Sequence, residues 1–200
     1  MVYLLPNGNL IRDGSEDTSN TLFRAGGAAG HIEEVTWDNE IVWSFSYQPY
    51  DAHLTHHDME PLPNGNVLLL AWERKSKEDM LAAGRRPELI PDGEVWEDHL
   101  IELKPDGQGG ADIVWEWRLF DHVVQDYNPK AANYGDPRAH PEKFDINFVP
   151  PNPRGGNRKG SSELPRGTKD FTHAVRLSCF LSHSVPYKIT PVCASHGSLA

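Results

Sequence analysis

Leu5-Pro6-Asn7-Gly8-Asn9 and Leu62-Pro63-Asn64-Gly65-Asn66 are two copies of one pentapeptide, and each copy runs directly into an apolar segment. A second related pair follows, Ile41-Val42-Trp43-Ser44-Phe45 after the first copy and Ile113-Val114-Trp115-Glu116-Trp117 after the second. Because Asn-Gly supplies the positive φ angles of a tight hairpin turn, each copy predicts two paired strands. The chain therefore repeats a block of short strands, which is typical of β-propeller blades or β-solenoids.

The alternation of apolar and polar residues between turns predicts the strands of each repeat. The first repeat has strands at residues 2–5, 9–12, 21–24, 31–37 and 40–46, and the second has them at 52–60, 67–72, 98–104 and 111–118. The second repeat carries about fifteen extra residues, which we interpret as a surface helix within 73–84 and a loop at 85–96. Residues 120–148 are less repetitive, and another strand begins at 170–174. The predicted fold class is all-β, an incomplete β-propeller of about two to three blades.

Composition limits the kind of partner that this chain can bind. The formal net charge is -10, which argues against a nucleic-acid backbone or an anionic membrane as the partner. No apolar run is long enough to span a bilayer, and no signal peptide is expected at Met1 because a strand follows at once. The hydrophobic share is 38% with six tryptophans, which suits thin sheets whose cores depend on a few large rings.

The last part of the chain differs from the rest in composition. Residues 174–200 contain no Asp or Glu, although about four or five would be expected at ordinary charge usage. The only two cysteines, Cys179 and Cys193, also lie there and give no disulfide framework or metal-binding spacing. We therefore predict a partial propeller domain at 1–173 and an atypical tail at 174–200 that is foreign to the native fold. The alternative is a variable terminal tail.

The densest group of chemically capable residues is His53-Leu54-Thr55-His56-His57-Asp58. On a regular strand His56 and Asp58 would face one way and His57 the other. An imidazole here could act as a nucleophile, an acid or base, or an oxyanion donor. Two alternatives stay open: a metal site formed by His53, His56, His57 and Asp58, or a buried histidine that donates to a backbone carbonyl.

Asp170-Phe171-Thr172-His173 repeats the Thr-His order of Thr55-His56 at the start of a later strand. His173 is therefore a candidate for a second imidazole directed at the same place, and its alternative is an ordinary histidine at a strand edge. The remaining candidates fit surface roles better. These are His122 and His140 in polar loops, and three arginines that we expect to pair with nearby carboxylates, Arg74, Arg118 and Arg138.

Several short motifs of this sequence, and the order in which they occur, resemble those of the bacterial arylsulfotransferase (aryl-sulfate sulfotransferase) family. The resemblance covers residues 2–174 and rests on His56-His57-Asp58 before the second pentapeptide, Ala71-Trp72-Glu73 after it, Glu33-Glu34-Val35-Thr36-Trp37-Asp38, Ile113-Val114-Trp115-Glu116-Trp117, Asp121-His122 with Gln125-Asp126-Tyr127, Asn133-Tyr134-Gly135, His140-Pro141-Glu142 and Asp145-Ile146-Asn147. After His173 this sequence departs from the family pattern.

The resemblance implies a six-bladed β-propeller of roughly twice this length. It also implies transfer of a sulfuryl group from an aryl sulfate to a phenol through a sulfohistidine, with no cofactor and no metal. Aryl sulfate and phenol are accordingly the implied partners. A periplasmic or secreted location is implied for a complete protein.

Carried over by position, His56 or His57 would be one channel histidine and His173 another, both stabilising sulfate oxygens or the leaving phenolate. The nucleophile would come from a later blade, and it has no counterpart here. We therefore expect this chain to be a truncated, inactive fragment that can self-associate through open blade edges. The alternative function is a non-catalytic propeller that binds or scaffolds.

Overall fold

The computed structural model describes residues 1–15, 23, 27–90, 94–149, 172, 174 and 177. Over these residues the chain is all-β, with one short α-helix and three 3-10 turns at Pro87–Leu89, Leu119–His122 and Pro137–Ala139. No helix among them is long and apolar enough to cross a membrane. The elements, in chain order, are β1 Val2–Leu4, β2 Leu10–Ser15, β3 Gly30–Val35, β4 Ile41–Ser46, β5 His53–Pro61, β6 Val67–Ser76, α1 Lys77–Ala82, β7 Glu94–Pro105, β8 Ala111–Arg118, β9 Val123–Val124 and β10 Phe144–Asp145.

Each predicted repeat forms one four-stranded sheet whose strands lie in chain order. The first sheet has the order β1-β2-β3-β4 and the second has the order β5-β6-β7-β8. The pairs in the first sheet are antiparallel, and so is the β5–β6 pair of the second. The prediction of strands in two repeated blocks is thereby confirmed.

The repeated pentapeptide makes the same turn in both places. Gly8 donates its backbone N–H to the Leu5 carbonyl at 2.9 Å, and Gly65 does the same to Leu62 at 2.9 Å. Only the glycines of these turns take positive φ, 89° for Gly8 and 84° for Gly65, so the expectation of positive φ at the asparagines was wrong. The asparagine side chains are used instead to hold the turn against the third strand of the same sheet.

A glutamate of the third strand accepts hydrogen bonds from both asparagines of each turn. In the first sheet Asn7 and Asn9 donate to Glu34 Oε1 at 2.9 and 2.7 Å, and Trp43 Nε1 donates to Oε2 at 2.7 Å. In the second sheet the corresponding asparagines, Asn64 and Asn66, donate to Glu102. The repeat is therefore present in the structure as well as in the sequence, because equivalent side chains of the two sheets make equivalent contacts.

Two compact units can be distinguished in the chain. The first contains residues 1–73 and 98–117 together with Ala174 and Leu177, and the second contains residues 74–97 and 118–149 in its main described part. The core of the first unit lies between its two sheets and joins residues of both, Ile11, Ile32 and Trp43 with Met59, Val67, Leu69, Ala71, Ile101 and Leu103. Burial of this many large side chains, at about 1.5–3 kcal/mol each, is the main force that stabilises the unit.

The second unit is built around turns that are held by buried polar side chains. Arg85 is 4% exposed and donates to the carbonyls of Leu89 and Ile146. Gln125 is fully buried, and its Oε1 accepts from the backbone N–H groups of Tyr127 and Asn128. Satisfied in this way, polar groups can lie inside a loop-rich structure at little cost.

Element boundaries in the second repeat differ from the predicted ones. The helix is limited to Lys77–Ala82, because β6 continues to Ser76 and His53 pairs with Glu73. β7 begins at Glu94, inside the predicted loop at 85–96. In the less repetitive region a 3-10 helix forms at Pro137–Ala139. The short strand expected at 21–24 lies outside the described residues apart from Phe23.

The predicted tail is described at only two positions. Ala174 and Leu177 are 2% and 3% exposed and pack with Leu68, Leu70 and Leu100 in a second apolar cluster. At these two residues the chain is part of the first unit. The prediction that 174–200 as a whole is foreign to the fold stays a prediction.

Candidate functional site

The histidine cluster lies on β5, where the strand pairing is interrupted. Thr55 pairs with Ala71 and Met59 pairs with Leu69, so three residues of β5 are opposite Leu70 alone. His57, the middle one of the three, has a φ of 55°, a left-handed conformation that is uncommon for a residue with a side chain. The alternation of side chains expected from a regular strand therefore does not apply here, and the interruption redirects the side chains.

The outer edge of β5 at this point is covered by the small-residue segment 27–30. Ala29 donates its N–H to the Thr55 carbonyl at 2.9 Å, and His57 donates its N–H to the Gly27 carbonyl at 2.8 Å. The Thr55 hydroxyl accepts from the Gly30 N–H at 2.8 Å. This short stretch thus fixes the backbone of the interrupted strand from outside the sheet.

His56 is a core residue. Its side chain is fully buried, and its ring stacks on Trp72 with centroids 4.0 Å apart and planes 9° apart. His56 Nε2 lies 3.3 Å from Asp98 Oδ1, and the other oxygen of Asp98 accepts from the Ala174 N–H at 2.9 Å. Trp72 stacks in turn on Phe23 at 6.0 Å. The sequence left open the alternative that one of these histidines is buried, and His56 fits that alternative.

His57 is only partly buried, and its ring lies against Gly27. A Cβ built on Gly27 would come within 2.5 Å of His57 Nδ1 and Nε2, so only glycine leaves room for this ring. The ring of His57 stands edge-on to that of His56, with centroids 5.7 Å apart and planes at 81°. Of the two neighbouring histidines, His57 is therefore the less buried one.

Asp58 has a structural role in the same cluster. It is 5% exposed and accepts from the Tyr3 hydroxyl at 3.0 Å, from its neighbour Met59 N–H at 3.0 Å and from Leu177 N–H at 2.8 Å. Asp58 and Asp98 together bind the backbone at Leu177 and Ala174. Both oxygens of Asp58 accept from donors of the protein itself, and Asp98 Oδ2 accepts from the Ala174 N–H.

Sequence reasoning assigned no role to His99, which the structure places in a second buried group. The Tyr47 hydroxyl lies 3.3 Å from His99 Nδ1, and His99 Nε2 lies 3.3 Å from Glu116 Oε2. The ring of His53 stacks on Tyr47 with centroids 4.5 Å apart. His53 therefore belongs to this second group and not to the one around His56. No sequence signal links these residues, because they come from separate strands.

The other candidates lie apart from this cluster. His173 falls outside the described residues. Arg74 Nε donates to Glu94 Oε2 at 2.6 Å, as expected from the many nearby carboxylates, and His140 lies 3.1 Å from Glu142. In the second unit an open cavity of about 530 Å³ is lined by Arg138 with Asp126, Tyr134, Gly135, Asp136, Pro137 and Asp145.

A metal centre is not formed by the residues that the structure describes. Among them no group of three or more His, Cys, Asp or Glu side chains is placed to hold a metal ion. The physical reason is visible in the cluster, since His53 stacks on Tyr47, His56 stacks on Trp72 and Asp58 binds backbone N–H groups. The metal alternative is therefore unsupported at this site.

Comparison with known proteins returned nothing: no protein-family model, no curated protein and no solved structure matches this chain.

Proposed function

We propose that the chain is part of an arylsulfotransferase-like β-propeller that binds the sulfate group of an aryl sulfate, with His57 donating hydrogen bonds to its oxygens. The observation that carries the proposal is the conformation of His57, a partly buried residue that has positive φ in an interrupted strand. Such conformations cost about 1–3 kcal/mol and are concentrated at functional sites.

The sheet arrangement supports the propeller part of the proposal. Each repeat forms a four-stranded sheet with its strands in chain order, which is how a propeller blade is built. The two sheets of the first unit also share one core between their faces, as neighbouring blades do. The resemblance in the first 174 residues suggests the ligand class, and the conformation of His57 supports its choice as the binding residue.

Sulfuryl transfer requires fixed hydrogen-bond donors at the sulfate group, and the ring of His57 can act as one. Sulfuryl transfer spreads negative charge over the sulfate oxygens, and fixed donors in a partly dry site stabilise that charge. The ring of His57 is held between Gly27 and the edge of His56, so little entropy is lost when it binds an oxygen. Because the chain is acidic overall, an anion must be held by such local donors.

His56 takes a different role in this proposal. It is fully buried against Trp72 and beside Asp98, so it is a positioning residue that holds the strand under His57. The nucleophile, by the resemblance, belongs to another blade. We therefore expect this chain to bind an aryl sulfate without transferring its sulfuryl group.

The experiment is a titration with p-nitrophenyl sulfate followed by calorimetry and by NMR of the histidine ring protons. We expect the His57 signals to shift and His57→Ala to weaken binding at least about tenfold, since a hydrogen bond to a charged group contributes about 1.5–3 kcal/mol. His140→Ala, which changes an exposed histidine of the second unit, is the matched control and should leave binding unchanged. Equal affinity for p-nitrophenol, or for the His57→Ala variant, would contradict the proposal.

A second candidate is a non-catalytic propeller that binds or scaffolds. It is favoured by the burial of His56, because one of the two carried-over histidines is part of the core. In that case p-nitrophenyl sulfate should not bind through its sulfate group, and adding the missing blades should create no transfer to a phenol.

A further inference from the structure

Two buried carboxylates beside the histidine cluster bind the backbone of two residues from the last part of the chain. Asp98 Oδ2 accepts from the Ala174 N–H at 2.9 Å, and Asp58 Oδ2 accepts from the Leu177 N–H at 2.8 Å. Asp58 and Asp98 are 5% and 4% exposed, so both hydrogen bonds are shielded from water. Hydrogen bonds to a carboxylate are among the strong ones in proteins. We call Asp58 and Asp98 the carboxylate clamp.

Apolar packing supports the same contact. The side chains of Ala174 and Leu177 are buried in one cluster with three leucines of the second sheet, Leu68, Leu70 and Leu100. Polar anchors inside an apolar cluster bind a chain segment in one register, since a shift would take the N–H donors away from buried carboxylates. The two residues are therefore bound at defined positions.

The composition of this part of the chain suits a surface that carries two carboxylates. Residues 174–200 contain two basic residues, Arg176 and Lys188, and no Asp or Glu, so their formal charge is +2. Because the whole chain has a formal charge of -10, residues 1–173 carry -12. An acidic side chain close to the clamp would be repelled, and the charges of the two parts are complementary.

The clamp is also in contact with the strand that carries the histidines. Asp58 follows His57 on β5, and its Oδ1 accepts from the Met59 N–H at 3.0 Å. Asp98 Oδ1 lies 3.3 Å from His56 Nε2. Each carboxylate therefore has one oxygen near β5 and the other on the backbone of residue 174 or 177. The residues before and after His57 in the sequence are thus both part of this contact.

The conformation of His57 depends on support from its surroundings. Its φ of 55° is uncommon for a residue with a side chain, and such conformations persist only where neighbouring contacts fix them. One such contact is the hydrogen bond from the His57 N–H to the Gly27 carbonyl. The clamp provides others, because it holds the residues on either side of His57. A change at the clamp should therefore alter His57.

We propose that binding of Ala174 and Leu177 by the carboxylate clamp holds β5 in its interrupted conformation and thereby controls the His57 site. The same two carboxylates contact β5 and the bound residues, so release of one contact removes support from the other. The consequence for sulfate binding rests on the proposed function, whereas the coupling is a property of the ligand-free protein. By reciprocity, a sulfate ester bound at His57 strengthens the contact at Leu177 to the same extent.

Hydrogen exchange and NMR of the histidine rings in the full chain test the coupling. Leu177→Ala removes packing at the clamp and leaves every residue of β5 unchanged. We expect the amides of residue 177 and of His57 to exchange at least about tenfold faster, because local opening sets the exchange rate of a protected amide. The His57 ring signals should shift as well. Leu177→Val removes less packing at the same place and keeps the test decisive where Leu177→Ala fails to fold, which circular dichroism shows.

The matched control is Leu89→Ala in the second unit. Leu89 is 3% exposed, as Leu177 is, and the substitution is the same. It should leave the His57 amide and ring signals unchanged. Two outcomes overturn the proposal: unchanged His57 signals in Leu177→Ala when the amide of residue 177 exchanges faster, or equal changes at His57 in the two variants.

Titration with p-nitrophenyl sulfate separates the coupling from the proposed function. We expect this ligand to slow exchange of the Leu177 amide in the wild type and to bind at least about threefold more weakly to Leu177→Ala. Absence of binding to the wild type would contradict the proposed function, while the measurements without ligand would still decide the coupling. Binding that leaves exchange of the Leu177 amide unchanged would overturn the coupling.

Discussion

The ring of His57 lies directly against Gly27, and the His57 N–H donates to the Gly27 carbonyl at 2.8 Å. Both residues have positive φ, 55° for His57 and 82° for Gly27. Two residues with positive φ thus meet at one contact, and the absence of a side chain on Gly27 leaves room for the ring.

Gly27→Ala should lower the free energy of unfolding by more than the cost of placing alanine at positive φ. The new Cβ would overlap the His57 ring, and positive φ adds about 1 kcal/mol for a residue with a side chain. We expect a total loss of about 2–4 kcal/mol by urea unfolding. Gly8→Ala is the control, since Gly8 also has positive φ, 89°, but nothing lies within 4 Å of its added Cβ. Equal losses in the two variants would show that the contact with His57 is irrelevant.

Two adjacent histidine substitutions should act in different ways on stability. His56→Ala removes a ring packed on Trp72 and leaves Asp98 without that partner, so we expect a loss of about 2–4 kcal/mol. His57→Gly relieves positive φ while it removes a partly exposed ring, so stability should stay within about 1 kcal/mol of the wild type. The measurement is the urea midpoint at constant slope. A larger loss for His57→Gly than for His56→Ala would reverse the roles assigned here.

Glu34→Gln should change how stability depends on pH. Burial raises the pKa of Glu34, but hydrogen bonds from Asn9, Asn7 and Trp43 outweigh it and hold the pKa below its ordinary value of 4.5. Since the folded-state pKa is the lower one, the stabilisation is present above pH 4.5 and is lost as pH falls through the folded-state value.

The amide that replaces the Glu34 carboxylate has only one acceptor oxygen, whereas the donors around Glu34 use both of its oxygens. We therefore expect a loss of about 1–3 kcal/mol near pH 7, which shrinks as the pH approaches about 3. Unfolding curves followed by tryptophan fluorescence at several pH values measure it. Glu40→Gln, at an exposed turn residue, is the control and should have no effect. A penalty that is constant with pH would contradict the assignment to Glu34.

Ser76→Ala should weaken the start of the only α-helix described. The Ser76 hydroxyl accepts from the Asp79 N–H at 3.1 Å, and the Asp79 carboxylate accepts from the Ser76 N–H at 3.2 Å. The hydrogen bond from the Ser76 side chain also lowers the pKa of Asp79. Loss of this cap costs about 1 kcal/mol.

Hydrogen exchange of the Asp79 amide is the direct measurement, and it should become faster in Ser76→Ala. Ser76→Thr keeps a hydroxyl at the same place and should retain most of the protection. If both variants exchange alike, the cap does not contribute.

The parts of the fold that were predictable are those decided by neighbouring residues. The turns at Gly8 and Gly65 and the strands that flank them follow from local sequence, because glycine alone adopts positive φ freely. Boundaries set by pairing with distant strands were missed. β6 extends through the predicted helix start because Glu73 pairs with His53, and propensity is overridden when a partner strand is present.

The sequence by itself determined that the chain is all-β, that its strands come in two similar blocks, and that three histidines cluster before the second turn. These features depend on residue type and spacing alone. Only the tertiary structure decided that His56 is buried and His57 only partly so, since that depends on an interrupted strand and on Trp72, Asp98 and Gly27 from other segments. Burial is a property of packing, and identical neighbouring residues acquire different chemistry when distant parts of the chain cover one of them and not the other.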